Sequence, residues 1–245
     1  MKKYCNEFYK SQQAKADGLK GWLAELNLQP TTILDVGCGC GRLTRRLRNL
    51  YNNAKIEGLD KNRRALCYAL AEGQLKRGTA ITGDAYDLGR PDASFFRLKL
   101  KKGAMIKQGD HYYVDWTRGY KTEKTEQPHG YDLVTALDVA PIMSFEDYGR
   151  LLNGETDDDD LPVPIAKIAE AAKIGGLILY SVPCFSGPNW KGLPAYEAAK
   201  AIEEETEIAE RCGLEVLDGK IINDVRVHRE ADVALFCKRT GKIVH

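Results

Sequence analysis

Three carboxylates and a run of glycines carry the most chemistry in the spacing of this chain. Ile33-Leu34-Asp35-Val36 is an apolar run, Gly37-Cys38-Gly39-Cys40-Gly41 follows at once, and Arg42-Leu43-Thr44-Arg45-Arg46-Leu47 opens a helical pattern. Strand, tight turn and helix N-terminus in that order make a ligand-binding turn. Glycine takes positive φ there and has no Cβ to hold a ligand away from the main chain. Asp35 sets the charge of that ligand. A dinucleotide site holds a pyrophosphate on such a turn with backbone N–H groups and the positive end of the helix, and a carboxylate at its mouth repels phosphate. A cation is attracted instead. Asp60 closes the run Ile56-Glu57-Gly58-Leu59-Asp60. It stands about 20 residues past the turn, where a strand-end carboxylate accepts hydrogen bonds from ribose hydroxyls. Asp84, followed by Ala85, ends a third strand-like run that starts at Gly78.

Leu34-Asp35-Val36-Gly37-Cys38-Gly39-Cys40-Gly41 resembles the first motif of the class I S-adenosylmethionine-dependent methyltransferases. That cofactor carries an ammonium and a sulfonium and no phosphate, as the Asp35 argument requires. The resemblance implies S-adenosylmethionine as cofactor, held by Asp35, Gly37, Cys38, Gly39, Asp60 and Lys61. It further implies that Asp84 meets the adenine amino group and the Ala85 N–H a ring nitrogen. Tyr131-Asp132-Leu133-Val134 resembles the opening of the family's fourth motif, and the loop after it, from Asp138 to Met143, faces the transferable methyl. That loop lacks the Asn/Asp-Pro-Pro-aromatic run of many amide and exocyclic-amine methylating enzymes, which disfavours those subfamilies. Asp138 then accepts a proton from the acceptor or orients it, or else caps the following helix. Tyr9, in a leading segment that often covers the cofactor pocket in this family, is the second acceptor-side candidate.

The elements that must position these residues form an alternating β/α series. Tyr4 to Leu26 is a broken amphipathic helix, interrupted by Gly18 and Gly21. Strands follow at 31–37, 55–60, 78–85 and 131–138, with helices between the first three. Pro164 to Lys173 is a helix, and Gly175 to Pro183 a buried fifth strand. Pro194 to Cys212 is an amphipathic helix ended by Gly213, and 214–217 and 231–237 are the last two strands. The reading is a three-layer α/β sandwich of seven mostly parallel strands, the last antiparallel as in the resembled family, in a single domain over 1–245.

A substrate-side insertion at about 89–130 departs from that plan and reads as a small β-hairpin or three-stranded flap. Between Arg97 and Lys124 it holds eight basic residues against three acidic ones, net +5. Arg97, Lys99, Lys101 and Lys102 among Tyr112, Tyr113 and Trp116 can track a phosphate backbone and stack bases. They can equally cap an anionic small molecule, or simply keep an edge hairpin from pairing with another chain.

Composition bounds the rest. The chain has 245 residues, 36 basic and 35 acidic, net +1, so bulk charge points neither to nucleic acid nor to an acidic tail. No run of about 18 apolar residues exists and the N-terminus is polar, which predicts a soluble cytoplasmic protein and no membrane contact. Seven cysteines form no even framework, so free thiols are expected. Cys38 and Cys40 lie too close in sequence for the usual ligand pair and no second pair exists, so no metal is expected. Pro183-Cys184 superficially resembles the nucleophile motif of RNA cytosine-C5 methyltransferases, but the cysteine comes one position late and the Asp138 loop has no Pro-Cys. The expected activity is methyl transfer to an O or N nucleophile of a small, anionic molecule. The alternatives are an RNA methyltransferase using the basic insertion, a non-catalytic S-adenosylmethionine-binding protein, and a nucleotide-dependent oxidoreductase sharing the first crossover.

Overall fold

The computed structural model describes residues 16–108, 111–114, 119–137, 164–186, 195–223 and 230–243. A helix over 16–25 (α1) precedes β1 (Thr32–Val36), α2 (Arg42–Leu50), β2 (Lys55–Asp60), α3 (Arg63–Ala71) and β3 (Ala80–Thr82). The insertion supplies β4 (Phe95–Leu100), β5 (Met105–Gln108), β6 (His111–Val114) and β7 (Tyr120–Thr125). After β8 (Tyr131–Ala136) come α4 (Pro164–Ala169), β9 (Ala172–Ser186), α5 (Ala195–Arg211), β10 (Leu214–Asn223) and β11 (Glu230–Arg239).

The main sheet runs β10-β11-β9-β8-β1-β2-β3-β4-β7. β3, β2, β1, β8 and β9 pair in parallel, and β11 enters antiparallel between β9 and β10. Those seven strands are the expected sandwich. The sheet nevertheless has nine strands among the described residues, because β4 pairs antiparallel with β3 and β7 with β4. The insertion was expected to stand apart as a hairpin flap; its outer strands instead take up the free edge of β3, and only β5 and β6 form a separate two-stranded ladder. An exposed row of N–H and C=O groups on a short edge strand is the ready template for that pairing.

Alternation along β1 shows how both faces are filled. Ile33 joins Leu19, Trp22 and Leu23 of α1 and Leu43 and Leu47 of α2, while Leu34 and Val36 face Ile165 and Ile168 of α4. Leu179 against Ile178 in β9 divides in the same way. A strand buried on both faces reads as a continuous apolar run, as Thr31 to Val36 does. Residues 16–25 therefore pack on the sheet, with Trp22 donating to Asp218 of β10 at 3.0 Å.

The first strand of the insertion begins beside the carboxyl end of β3 and leads away from it. Phe96 stands opposite Thr82, just before Gly83 and Asp84, and β4 then runs the other way, so Leu100 and Lys101 reach the amino edge of the sheet. There Arg97 donates to Glu57 at 2.5 Å and to the Gly78 carbonyl, and Tyr131 donates to Glu57 at 2.8 Å. Asp132, next in sequence, accepts from the Thr31 and Thr32 N–H groups and pairs with Lys173. The Tyr-Asp opening of β8 thus fastens that strand to its neighbours at the edge away from the glycine turn.

Candidate functional site

The turn after β1 is built as its sequence demands. Gly37, Gly39 and Gly41 all have positive φ, at 65°, 52° and 79°. At Gly41 a Cβ would stand 2.7 Å from Gln74 Cβ and 3.2 Å from Ala69 Cβ, so the close approach of the turn to α3 also excludes a side chain. Around the missing Cβ of Gly39 there is open space, which leaves main chain accessible to a ligand. The Gly41 cap has no side chain to bond the first turn of α2, and in that turn the Thr44 N–H donates to the buried Asp35 carboxylate. Cys38 points the other way: it is 8% exposed, its N–H bonds the Leu59 carbonyl at 3.1 Å, and its thiol fills the space over Gly58. Its place in the turn is structural through the side chain and ligand-facing, if at all, through the backbone. Burial, with Asp35 and Asp60 nearby, pushes that thiol far above its ordinary pKa, so it stays protonated.

Asp35 lies beneath the turn instead of at its mouth. It is 1% exposed, and its two carboxylate oxygens accept from Thr44 Oγ1 of α2 at 2.5 Å and Thr135 Oγ1 of β8 at 3.0 Å. Burial raises its pKa to about 6; the two threonine bonds oppose that rise and the Asp60 charge adds to it. A charge buried there reaches further than it does in water.

Asp60 faces the turn directly. Gly39 N–H donates to one of its oxygens at 2.7 Å and Asn62 N–H to the other at 2.7 Å. Asn62 in turn caps α3 through Arg64 and Ala65 N–H. Desolvation outweighs these bonds and raises the Asp60 pKa. Asp84 accepts from Tyr86 N–H at 3.1 Å, which starts the 3-10 turn Ala85–Asp87, and Lys61 Nζ approaches its other oxygen at 3.9 Å. Its side chain is 37% exposed, so it remains accessible beside the strand ends.

Register brings these groups together. Val36 pairs with Leu59, and Asp60 with Thr82, so Gly37 to Gly39, Asp60 with Lys61, and Asp84 with Ala85 line the carboxyl ends of three adjacent strands. Asp138 and Tyr9 lie outside the described residues, as do Trp116 and the acidic run 157–160. Cys184 falls within β9, where the pairing with β11 shifts register. Sequence reading missed Thr44 and Thr135, which hold Asp35. Thr135 is 100 residues from its partner, and no short-range pattern signals such a bond. Gly58 was missed as well; its signal is a glycine inside a strand, which marks close approach of another group.

The side chains of Tyr112 and Tyr113 lie outside the described residues, and the described basic side chains of the insertion do not converge on this site. Arg97 is committed to Glu57, Lys99 pairs with Glu123 at 2.5 Å, and Lys101 and Lys102 sit past the amino-edge end of β4. The RNA reading, which rested on these residues, has no support in their placement. Among the described residues no group of three or more side chains is placed to hold a metal, and no helix is long and apolar enough to cross a membrane.

Comparison with known proteins finds similarity to methyltransferases. The profile of a family described as a methyltransferase domain matches residues 33–98, the stretch from β1 through β4. Demethylmenaquinone methyltransferase of Thermotoga maritima is 37% identical over 78 residues, 32% of this chain and 33% of that enzyme. The match thus spans about a third of the relative's length. Among solved structures, magnesium protoporphyrin IX methyltransferase from Synechocystis PCC 6803 with bound S-adenosylhomocysteine superposes with a TM-score of 0.54. It is 17% identical, with 96% of this chain and 86% of that one covered. An S-adenosylmethionine-dependent methyltransferase from Clostridium acetobutylicum gives a TM-score of 0.52 at 14% identity, covering 93% and 92%.

Proposed function

We propose that this chain, a class I S-adenosylmethionine-dependent methyltransferase by its motif and fold, moves a methyl group from that cofactor to an O or N nucleophile of a small molecule. The observation that carries the reading is the meeting of an open glycine turn, Asp60 and Asp84 at three neighbouring strand ends. The residues present fit the cofactor. Asp60 offers two acceptor oxygens for ribose hydroxyls, and Asp84 with the Ala85 N–H offers an acceptor and a donor for adenine. The Asp35 charge below the turn suits an ammonium and a sulfonium.

When bound, the cofactor supplies an electrophilic methyl on a positively charged sulfur. The chain's part is alignment: it fixes the direction of approach, so that much of the acceleration comes from holding two partners in line. As the sulfonium becomes a neutral thioether, its positive charge passes to a neutral acceptor, so a base is required for acceptors that carry a proton. Asp138, two residues beyond the end of β8, is the residue we assign to that proton, with Tyr9 as the second acceptor-side residue. The small-molecule reading is favoured by the neutralised Arg97 and Lys99 and by relatives whose named acceptors are a quinone and a porphyrin. The lysines at 101 and 102 give no ground for an anionic acceptor, because they stand at the opposite edge of the sheet.

The test is a screen of metabolite and RNA fractions with S-adenosylmethionine carrying a labelled methyl. Label is expected in a small-molecule fraction and absent from RNA, and Asp138→Asn is expected to lower transfer at least tenfold while cofactor binding persists. Label in RNA alone would overturn the acceptor assignment.

A further inference from the structure

Thr135 and Thr44 reach Asp35 from two different elements. Thr44 belongs to the first turn of α2, immediately after the glycine turn, and Thr135 to the last two residues of β8, immediately before the loop that holds Asp138. Asp35 is thereby a joint between the cofactor side and the acceptor side of the site, closed from solvent. From this geometry we propose that Thr135 is a positioning residue. Through Asp35 it couples the charge beneath the glycine turn to the strand that feeds the acceptor loop, and filling the cofactor site with a cation drives a proton off this joint. The inference rests on S-adenosylmethionine being the ligand and goes beyond it by assigning a proton to the binding step.

The physical argument is one of competing fields. Asp35 pairs in register with Gly58 of β2, which brings no charge, so the ionisable groups facing the carboxylate are Asp60 at the end of β2 and Cys38 in the turn. Asp60 repels a second negative charge, Cys38 stays neutral, β8 contributes the Thr135 hydroxyl, and α2 contributes the Thr44 hydroxyl and its backbone N–H. The described residues thus give Asp35 no cation of its own. With burial dominant, its pKa stands at about 6, opposed by the Thr44 and Thr135 hydroxyl bonds and the Thr44 N–H. A cationic ligand in the pocket supplies the missing positive field and favours the ionised form, so binding and ionisation are linked. Removing the Thr135 hydroxyl takes away one bond to the charged form and raises the proton occupancy of the empty site.

Calorimetry of S-adenosylmethionine binding in buffers of different ionisation enthalpy counts the released protons. Asp35→Asn reads only the proton uptake of the ligand's own ammonium, and relative to it the parent is expected to release about half a proton per chain at pH 6 and close to none at pH 8. On the same scale Thr135→Val is expected to release several-fold more than the parent at pH 7, and Thr135→Ser to restore the parent value. Thr44→Val makes the same prediction from the α2 side, should Thr135→Val fail to fold. A carbon-13 carboxyl titration of the ligand-free protein reads the same shift without any turnover. Equal proton release in the parent, Thr135→Val and Asp35→Asn would overturn the inference while leaving the cofactor assignment intact. Absence of binding at every pH would instead overturn the cofactor assignment.

Discussion

At the scale of single residues, Asp35 shows how a site residue can be named from sequence and still be misplaced by it. Its position before Gly37 leads to the expectation of a cationic ligand, and the same reasoning puts the carboxylate at the mouth of the turn, whereas it is buried beneath. Its burial follows from β1 being covered on both faces, which places Asp35 on the Ile33 side, toward α2. That arrangement trades stability for binding. The pKa in the folded chain, about 6, lies above the ordinary 3.8, so the folded state holds its proton more tightly than the unfolded chain. The contribution from this group is therefore largest below pH 4, declines as pH rises from about 4 to 6, and is fully lost above that window. Asp35→Asn, which keeps the shape and removes the charge, should raise stability at pH 7.5 by roughly 1–3 kcal/mol and weaken S-adenosylmethionine binding. Thermal melts at pH 5 and 7.5 check the first part, since the gain should shrink at the lower pH. A variant less stable than the parent at pH 7.5 would contradict it.

At the scale of elements, the glycine turn was legible because its pattern is local, whereas the insertion was not. Alternation of Phe96, Leu98 and Leu100 with Arg97, Lys99 and Lys101 correctly marks a strand, but nothing in alternation says which edge a strand will join. The answer lies in Arg97, whose guanidinium crosses β3 to the buried Glu57 and the Gly78 carbonyl, and in Phe95, which closes over Gly83. The two glycines Gly39 and Gly83 separate function from packing. A Cβ at Gly83 would stand 2.3 Å from the Phe95 ring, so Gly83→Ala should destabilise the fold by about 1–3 kcal/mol through overpacking. Gly39→Ala meets no neighbour but places a side chain at φ 52° over the ligand-facing main chain. It should lose cofactor affinity by tenfold or more with a melting temperature lowered far less than in Gly83→Ala. Melting and binding measured on both variants decide the matter. Equal loss of binding in the two would contradict the assignment of the open space at Gly39 to the ligand.

At the scale of the whole molecule, the parallel series and the three strand-end carboxylates were legible because each rests on short-range pattern, while the antiparallel last strand followed from the family resemblance alone. The ninefold width of the sheet, the length of β9, β10 and β11, and the Thr44–Asp35–Thr135 joint were not, because each depends on pairings between distant segments. The consequence for function is a clear division of the sheet. One edge gathers the glycine turn, Asp60, Asp84 and the end of β8; the other holds Glu57, Arg97, Asp132 and the basic turn at 101–103 in structural roles. A methyl-transfer site at the first edge requires that the cofactor be read there by shape and charge. Titration calorimetry with S-adenosylmethionine and, in parallel, NAD tests this most directly. The account predicts one S-adenosylmethionine bound per chain, affinity reduced at least tenfold in Asp60→Ala, and no heat with NAD. Binding of NAD in place of S-adenosylmethionine, or full S-adenosylmethionine affinity in Asp60→Ala, would contradict it.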